Sequence, residues 1–141
     1  MTFLVDTSVW SLALRRDLDP AEPEVDVLKE ALEGSDVVVT TGLVPQELLQ
    51  GFAGPKARTQ IVESFASLPV IQPAREDHIA AADLRNTCRR AGVQIGTIDA
   101  LIAQLCIRHD LTLLSTDKDF AHASQHCKLK LWSNKTTKQR R

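Results

Sequence analysis

Five carboxylates in this chain of 141 residues stand where chemistry is easiest to place: Asp6, Glu47, Asp99, Asp117 and Asp119. The stretch "LTLLSTDKDF", residues 111 to 120, shows the pattern, with an apolar strand driving toward a polar end closed by two aspartates one residue apart. Asp6 ends the run "FLVD" in the same way, Glu47 lies in the first turns of the helix after "DVVVT", and Asp99 lies in the first turn of "TIDALIAQL". Each acid alone has a local use. Asp6, Thr7 or Ser8 can cap the helix that follows, Asp99 suits a positive helix end behind a Thr97 cap, and Asp117 can cap the next helix. Glu47 fits such a use least. It falls on or beside the stripe Val44, Leu48, Gly51, Phe52, and no Lys or Arg stands three or four residues away to pair with it. A charge facing a core needs a partner from another element, or it must be neutralised.

If Asp6, Glu47, Asp99 and Asp117 meet, neighbours about 5 Å apart repel by roughly 3 kcal/mol each at an effective dielectric of 20. Four such acids do not all stay ionised unaided. Either some take up protons, or a divalent cation sits among them, and an all-oxygen donor set suits Mg²⁺ or Mn²⁺ rather than zinc. The four histidines, His78, His109, His122 and His126, show no ligand spacing near these acids and read as surface or capping residues.

The elements that must position the acids follow from periodicity. "FLVD" is a short buried strand, followed by a helix "SVWSLALRR" and the loop "DLDPAEPE". Pro23 opens a helix that Gly34 closes, and "DVVVT" is a β-branched strand leading into a helix containing "PQELLQGF". "PKARTQIVESFASL" is a further helix after the Gly54-Pro55 break, and "PVIQP" reads as a short strand. The long helix "REDHIAAADLRNTCRRAG" carries Ala81, Leu84, Cys88 and Ala91 on one face and stops at Gly92. "TIDALIAQLCIRH" sets Ile98, Leu101, Ile102, Leu105 and Cys106 at helical spacing. The strand "LTLLS", a short helix from Lys118 and the strand "LKLW" complete the order. Short apolar strands alternating with amphipathic helices predict an α/β domain with a mainly parallel sheet covered on both faces. In such sheets ligands gather beyond the carboxyl ends of the strands, which is where the acids fall.

The length fits one domain with a sizeable core, and no apolar run approaches the ~18 residues of a membrane span. The opening "MTFLVDTSVW" has neither a basic leader nor a small-residue cleavage site, so no secretory signal is expected. Cys88, Cys106 and Cys127 are odd in number and without C-x-x-C spacing, consistent with reduced thiols in a cytoplasmic protein. A formal net charge of −1 hides an asymmetry: residues 128 to 141 hold six Lys and Arg and no acid, while the rest carries eleven basic against eighteen acidic groups. Residues 1–132 form the expected domain and 133–141 a basic tail, which either holds nucleic acid through phosphates or merely solubilises.

The pieces "LVDTS", "ELLQG", "DALIA" and "LLSTDKDF", in order and spacing from residue 3 to about 132, resemble the PIN-domain ribonucleases, in particular VapC-type toxins of toxin–antitoxin pairs. The resemblance implies a PIN-like three-layer α/β/α sandwich and an Mg²⁺- or Mn²⁺-dependent endoribonuclease. Asp6, Glu47, Asp99 and Asp117 would be its metal-site acids, with Asp119 as the second aspartate of the D-x-D-F ending. Thr7, Ser8 and Thr116 would supply supporting hydroxyls, and Arg15, Arg16 and Lys118 are candidates to guide the RNA backbone. It further implies an antitoxin partner of VapB type, for which the apolar helices of residues 43 to 68 offer a docking surface, and a homodimer. Pro45 before the glutamate, the acidic loop and the basic extension depart from the pattern. Two rival readings remain: a receiver- or phosphatase-like Mg²⁺ domain that accepts phosphate, although Ser8 stands where a phosphatase needs its second aspartate, and a non-catalytic RNA-binding module relying on the tail.

Overall fold

The computed structural model describes residues 1–15 and 22–134. Arg16 and residues 135–141, which include most of the expected basic tail, lie outside the described residues. The elements run β1 (Thr2–Val5), α1 (Thr7–Leu14), α2 (Pro23–Glu33), β2 (Val37–Val39), α3 (Leu43–Gly51), α4 (Pro55–Phe65), α5 (Arg75–Arg90), α6 (Thr97–Arg108), β3 (Thr112–Leu114), α7 (Lys118–Ala123) and β4 (Lys130–Leu131).

The four strands form one sheet in the order β2-β1-β3-β4, every pair parallel. Parallel pairing demands a crossover between neighbours, and the helices supply it while covering the sheet. β1 lies second in the order, with Phe3 paired to Val38 on one side and Thr112 on the other. Phe3, Leu4, Val5, Val38, Leu113 and Leu114 are buried, the run of apolar residues that a strand buried on both faces requires. On the helices, Val9 and Trp10 of α1, Val44 and Leu48 of α3, and Ile61 and Phe65 of α4 extend this core, with the Trp10 and Phe65 rings 4.6 Å apart.

Helix ends follow local chemistry. Pro23 and Pro55 open α2 and α4 at their first turns, where a missing N–H costs nothing. Gly92 takes a φ of +80°, and the Val93 N–H donates back to the Cys88 carbonyl at 2.8 Å, the left-handed closure predicted for α5. Three expectations shift. "PVIQP" makes no strand: Pro69 and Pro73 flank it without N–H donors, and it makes only one parallel bridge, Val70 with Thr40. Thr97 is the first residue of α6 rather than its cap; Gly96 caps it, without a side-chain bond. Ala91 and Ile98, placed on buried faces by spacing, are exposed, because each sits at the end of its helix where the stripe runs past the core.

α5 and α6 are pinned by one buried ion pair. Asp77, fully buried, accepts from Arg108 Nε at 2.6 Å and Nη2 at 2.7 Å, and from the Ala74 N–H at 2.8 Å. Burial pushes the Asp77 carboxyl up, but the bonds from Arg108, Ala74 and Gln104 and the charge of Arg108 outweigh it and hold the pKa below the ordinary value. No helix among the described residues is long and apolar enough to cross a membrane. All three cysteines are free.

Candidate active site

The carboxyl edge of the sheet gathers the acids from four places. Asp6 follows β1 directly and caps α1; its backbone N–H still donates to the Leu114 carbonyl at 2.9 Å, so the strand ladder fixes it before its side chain does anything. The carboxylate is buried, and its Oδ2 accepts from Ser8 Oγ at 2.8 Å, Ser115 Oγ at 2.9 Å and the Ser8 N–H at 3.4 Å. Its Oδ1 accepts no hydrogen bond from the described residues. Glu47, half-buried on α3, accepts from Thr7 Oγ1 at 3.1 Å, which is the partner from another element that its sequence position demanded. Asp117 caps α7 by accepting from the Asp119 N–H at 2.9 Å. Asp99 lies in the first turn of α6.

Both uses of Asp6 and Asp117 are therefore realised together: each closes a helix start and also faces the other acids. The electrostatics of Asp99 show the convergence. Burial first, then the charges of Asp6, Asp117, Glu47 and Asp119, push its pKa from 3.8 to about 7. All four other carboxylates act on this one group. The same region holds Cys106, whose thiol is pushed up to about 12 by burial and then by Asp6, so it stays protonated as a core side chain.

The supporting groups differ from expectation in one place. Thr7 and Ser8 act through their hydroxyls, Thr7 on Glu47 and Ser8 on Asp6. Thr116 is exposed and enters through its backbone, its N–H donating to Ser8 Oγ at 3.1 Å. A further hydroxyl, just after β3, belongs to Ser115, which spacing passed over: it is buried, donates to Asp6, and accepts from the Asp117 N–H at 3.0 Å. Being the first residue after β3, it points where strand alternation continues the inward face of Leu113, and that register was the signal available. Arg15 and Lys118 are exposed.

The donor set is all carboxylate and hydroxyl oxygen, hard ligands suited to Mg²⁺ or Mn²⁺, and it carries a surplus of negative charge that a divalent cation would relieve. No group of three or more His, Cys, Asp or Glu among the described residues is already drawn into an arrangement for holding a metal ion. The chemistry of the residues nonetheless fits the ion.

A sheet of parallel strands with acids from four elements at its carboxyl edge defines a PIN-type α/β domain, and residues 3–125 match the PIN domain family. The chain belongs to that family. Within it, the chain is 31% identical over 119 residues to the VapC ribonuclease Mb1587 of Mycobacterium bovis and likewise to ribonuclease VapC11 of Mycobacterium tuberculosis, covering 83% of this chain and 87% of each relative. Among solved structures, the fold is shared with VapBC2 from Rickettsia felis bound to a promoter DNA fragment (TM-score 0.73, 20% identity, 94% of this chain and 98% of that one). It is shared also with VapBC-5 from Mycobacterium tuberculosis (TM-score 0.65, 24% identity, 92% and 96%). The receiver- and phosphatase-like reading gives way to this assignment.

Proposed function

We propose that the chain is a Mg²⁺- or Mn²⁺-dependent endoribonuclease, the toxin of a toxin–antitoxin pair, working in the cytoplasm. The observation that carries this reading is the convergence at Asp99: four other carboxylates, Asp6 at the start of α1, Glu47 on α3, and Asp117 and Asp119 at the start of α7, all raise its pKa. The VapC relatives named above are ribonucleases, and their likeness over most of both chains supports the same activity here.

Asp6, Glu47, Asp99 and Asp117 would hold the cation, with Asp119 beside them. When bound, the ion supplies a lowered pKa for an attacking water and offsets charge on the phosphate oxygens of an in-line displacement. The chain's own residues do the rest. Ser8 and Ser115 hold Asp6 Oδ2 and so fix the orientation of its carboxylate. Thr7 orients Glu47. One of these carboxylates would also accept the proton of the attacking water. Arg15 and Lys118 guide the RNA backbone through phosphates, with Arg16 and the tail of residues 133–141 as further contacts. Cleavage leaves 5′-phosphate and 3′-hydroxyl ends.

A VapB-type antitoxin and a second copy of the chain are the proposed protein partners. For the antitoxin, the half-exposed Val62 on α4 is the part of residues 43 to 68 that the core leaves free; Val44, Leu48, Ile61 and Phe65 are core.

The test is cleavage of RNA by purified protein with Mg²⁺ or Mn²⁺, with and without chelator. Asp6→Asn and Asp99→Asn are each expected to lower the rate by at least about a hundredfold, the scale on which losing a group that acts in the transition state is felt, with the circular dichroism unchanged. An Asp99→Asn protein that cuts as fast as wild type removes Asp99 from the mechanism.

A further inference from the structure

We propose that the cleft between α3, α5 and α6 is a base-recognition subsite, seating one nucleobase of the RNA beside the scissile phosphate; this rests on the ribonuclease reading above. The cleft encloses about 340 Å³, at the small end of the roughly 300–1,000 Å³ typical of ligand pockets. Two of its lining residues stand close in sequence to acids of the site. Ile98 lines it and precedes Asp99; Leu43 lines it and stands one helical turn before Glu47. The proposed RNA path runs from the carboxylates, along the starts of α3 and α6, to this opening.

The lining has the chemistry of a base and not of a phosphate alone. Leu43 and Ile98 offer apolar flanks, and Ile98 is 43% exposed although it sits on the α6 stripe whose other members are buried. Arg85 lines this cleft and a neighbouring one, and it donates through Nε to the Ile95 carbonyl at 2.9 Å, which restrains its guanidinium and leaves the outer nitrogens without a hydrogen bond to the described residues. A restrained guanidinium plane is a stacking surface for an unpaired base, which matters in a domain without tyrosine. Asn86, exposed at the same cleft and without a hydrogen bond to the described residues, carries both a donor and an acceptor with which to read a base edge. His78 at the rim adds a ring N–H for a ribose or phosphate oxygen.

The experiment takes a pool of short RNAs randomised around a cut site. The Asp99→Asn protein, which binds without cutting, is used to select bound RNA with Mg²⁺ present, and wild type is used to map cut ends. A base bias at one position flanking the cut is expected in both. Asn86→Ala should flatten that bias and raise KM about tenfold, and Asn86→Gln should restore part of it. Bound pools and KM that do not change with Asn86→Ala or Ile98→Ser overturn the subsite. So does an Ile98→Ser protein that elutes as a smaller species with the base bias intact, because the cleft then covers a second copy of the chain. Base-biased binding without any cutting by wild type leaves the subsite standing and sinks the ribonuclease reading; failure to bind RNA at all sinks both.

Discussion

Asp99, in the first turn of α6, feels the charge of all four other acids, and its titration makes that testable. A carboxyl whose pKa rises from 3.8 to about 7 on folding holds its proton in the folded chain where the unfolded chain has lost it. Between those values the folded state binds more protons, so its stability is complete below about pH 4 and falls as pH rises through 7. In metal-free solution the melting temperature of wild type should drop across about pH 4 to 7 and level off above, while that of Asp99→Asn stays flatter, and added Mn²⁺ should recover the loss for wild type alone. A wild-type curve parallel to that of Asp99→Asn would mean that the acids do not share a field. At this scale the sequence was legible for the carboxylates, because charges on apolar stripes and strand ends announce themselves. Ser115 was not legible, since a serine beside a threonine carries no signal of which hydroxyl turns inward until the strand register is known.

Helices α5 and α6 are held together at one end by the buried carboxylate of Asp77 and the guanidinium of Arg108, two residues that periodicity does not connect. Arg108→Ala leaves a buried charge with only the Ala74 N–H and Gln104 for company. The expected cost is about 3 kcal/mol, at the low end for breaking a buried pair because Arg108 itself reaches water, read as a lower urea midpoint with unchanged slope. Since the folded Asp77 pKa is depressed, the contribution of the pair is present above the unfolded value and is lost as pH falls below about 4. An Arg108→Ala protein as stable as wild type would make the pair ornamental. Element type and order were legible along the chain because caps, prolines and periodicity agree at most boundaries. The failures, at "PVIQP" and at Thr97, fall where prolines or a glycine decide the backbone against the pattern of the side chains.

For the whole molecule, the division of charge is the feature with the widest reach. An acidic body must admit a polyanion, and the six basic residues after position 127 are the largest local excess of the opposite sign. Removing residues 135–141 deletes four of them. We expect the shortened chain to cut the same bonds, with a higher KM at low salt and a shallower dependence of KM on salt by about three counter-ions; loss of all RNA binding would instead make the tail the binding module. The fold class was readable from the alternation of short strands and helices, but the order β2-β1-β3-β4 was not, because strands of two to four residues carry too little pattern to choose their neighbours. That order also sets a condition. Asp6 and Asp117 lie far apart along the chain, and only when β3 slots in beside β1 do the two come together through Ser115. The acid cluster therefore exists only once the β1–β3 pair has closed, and no fragment lacking that strand presents it.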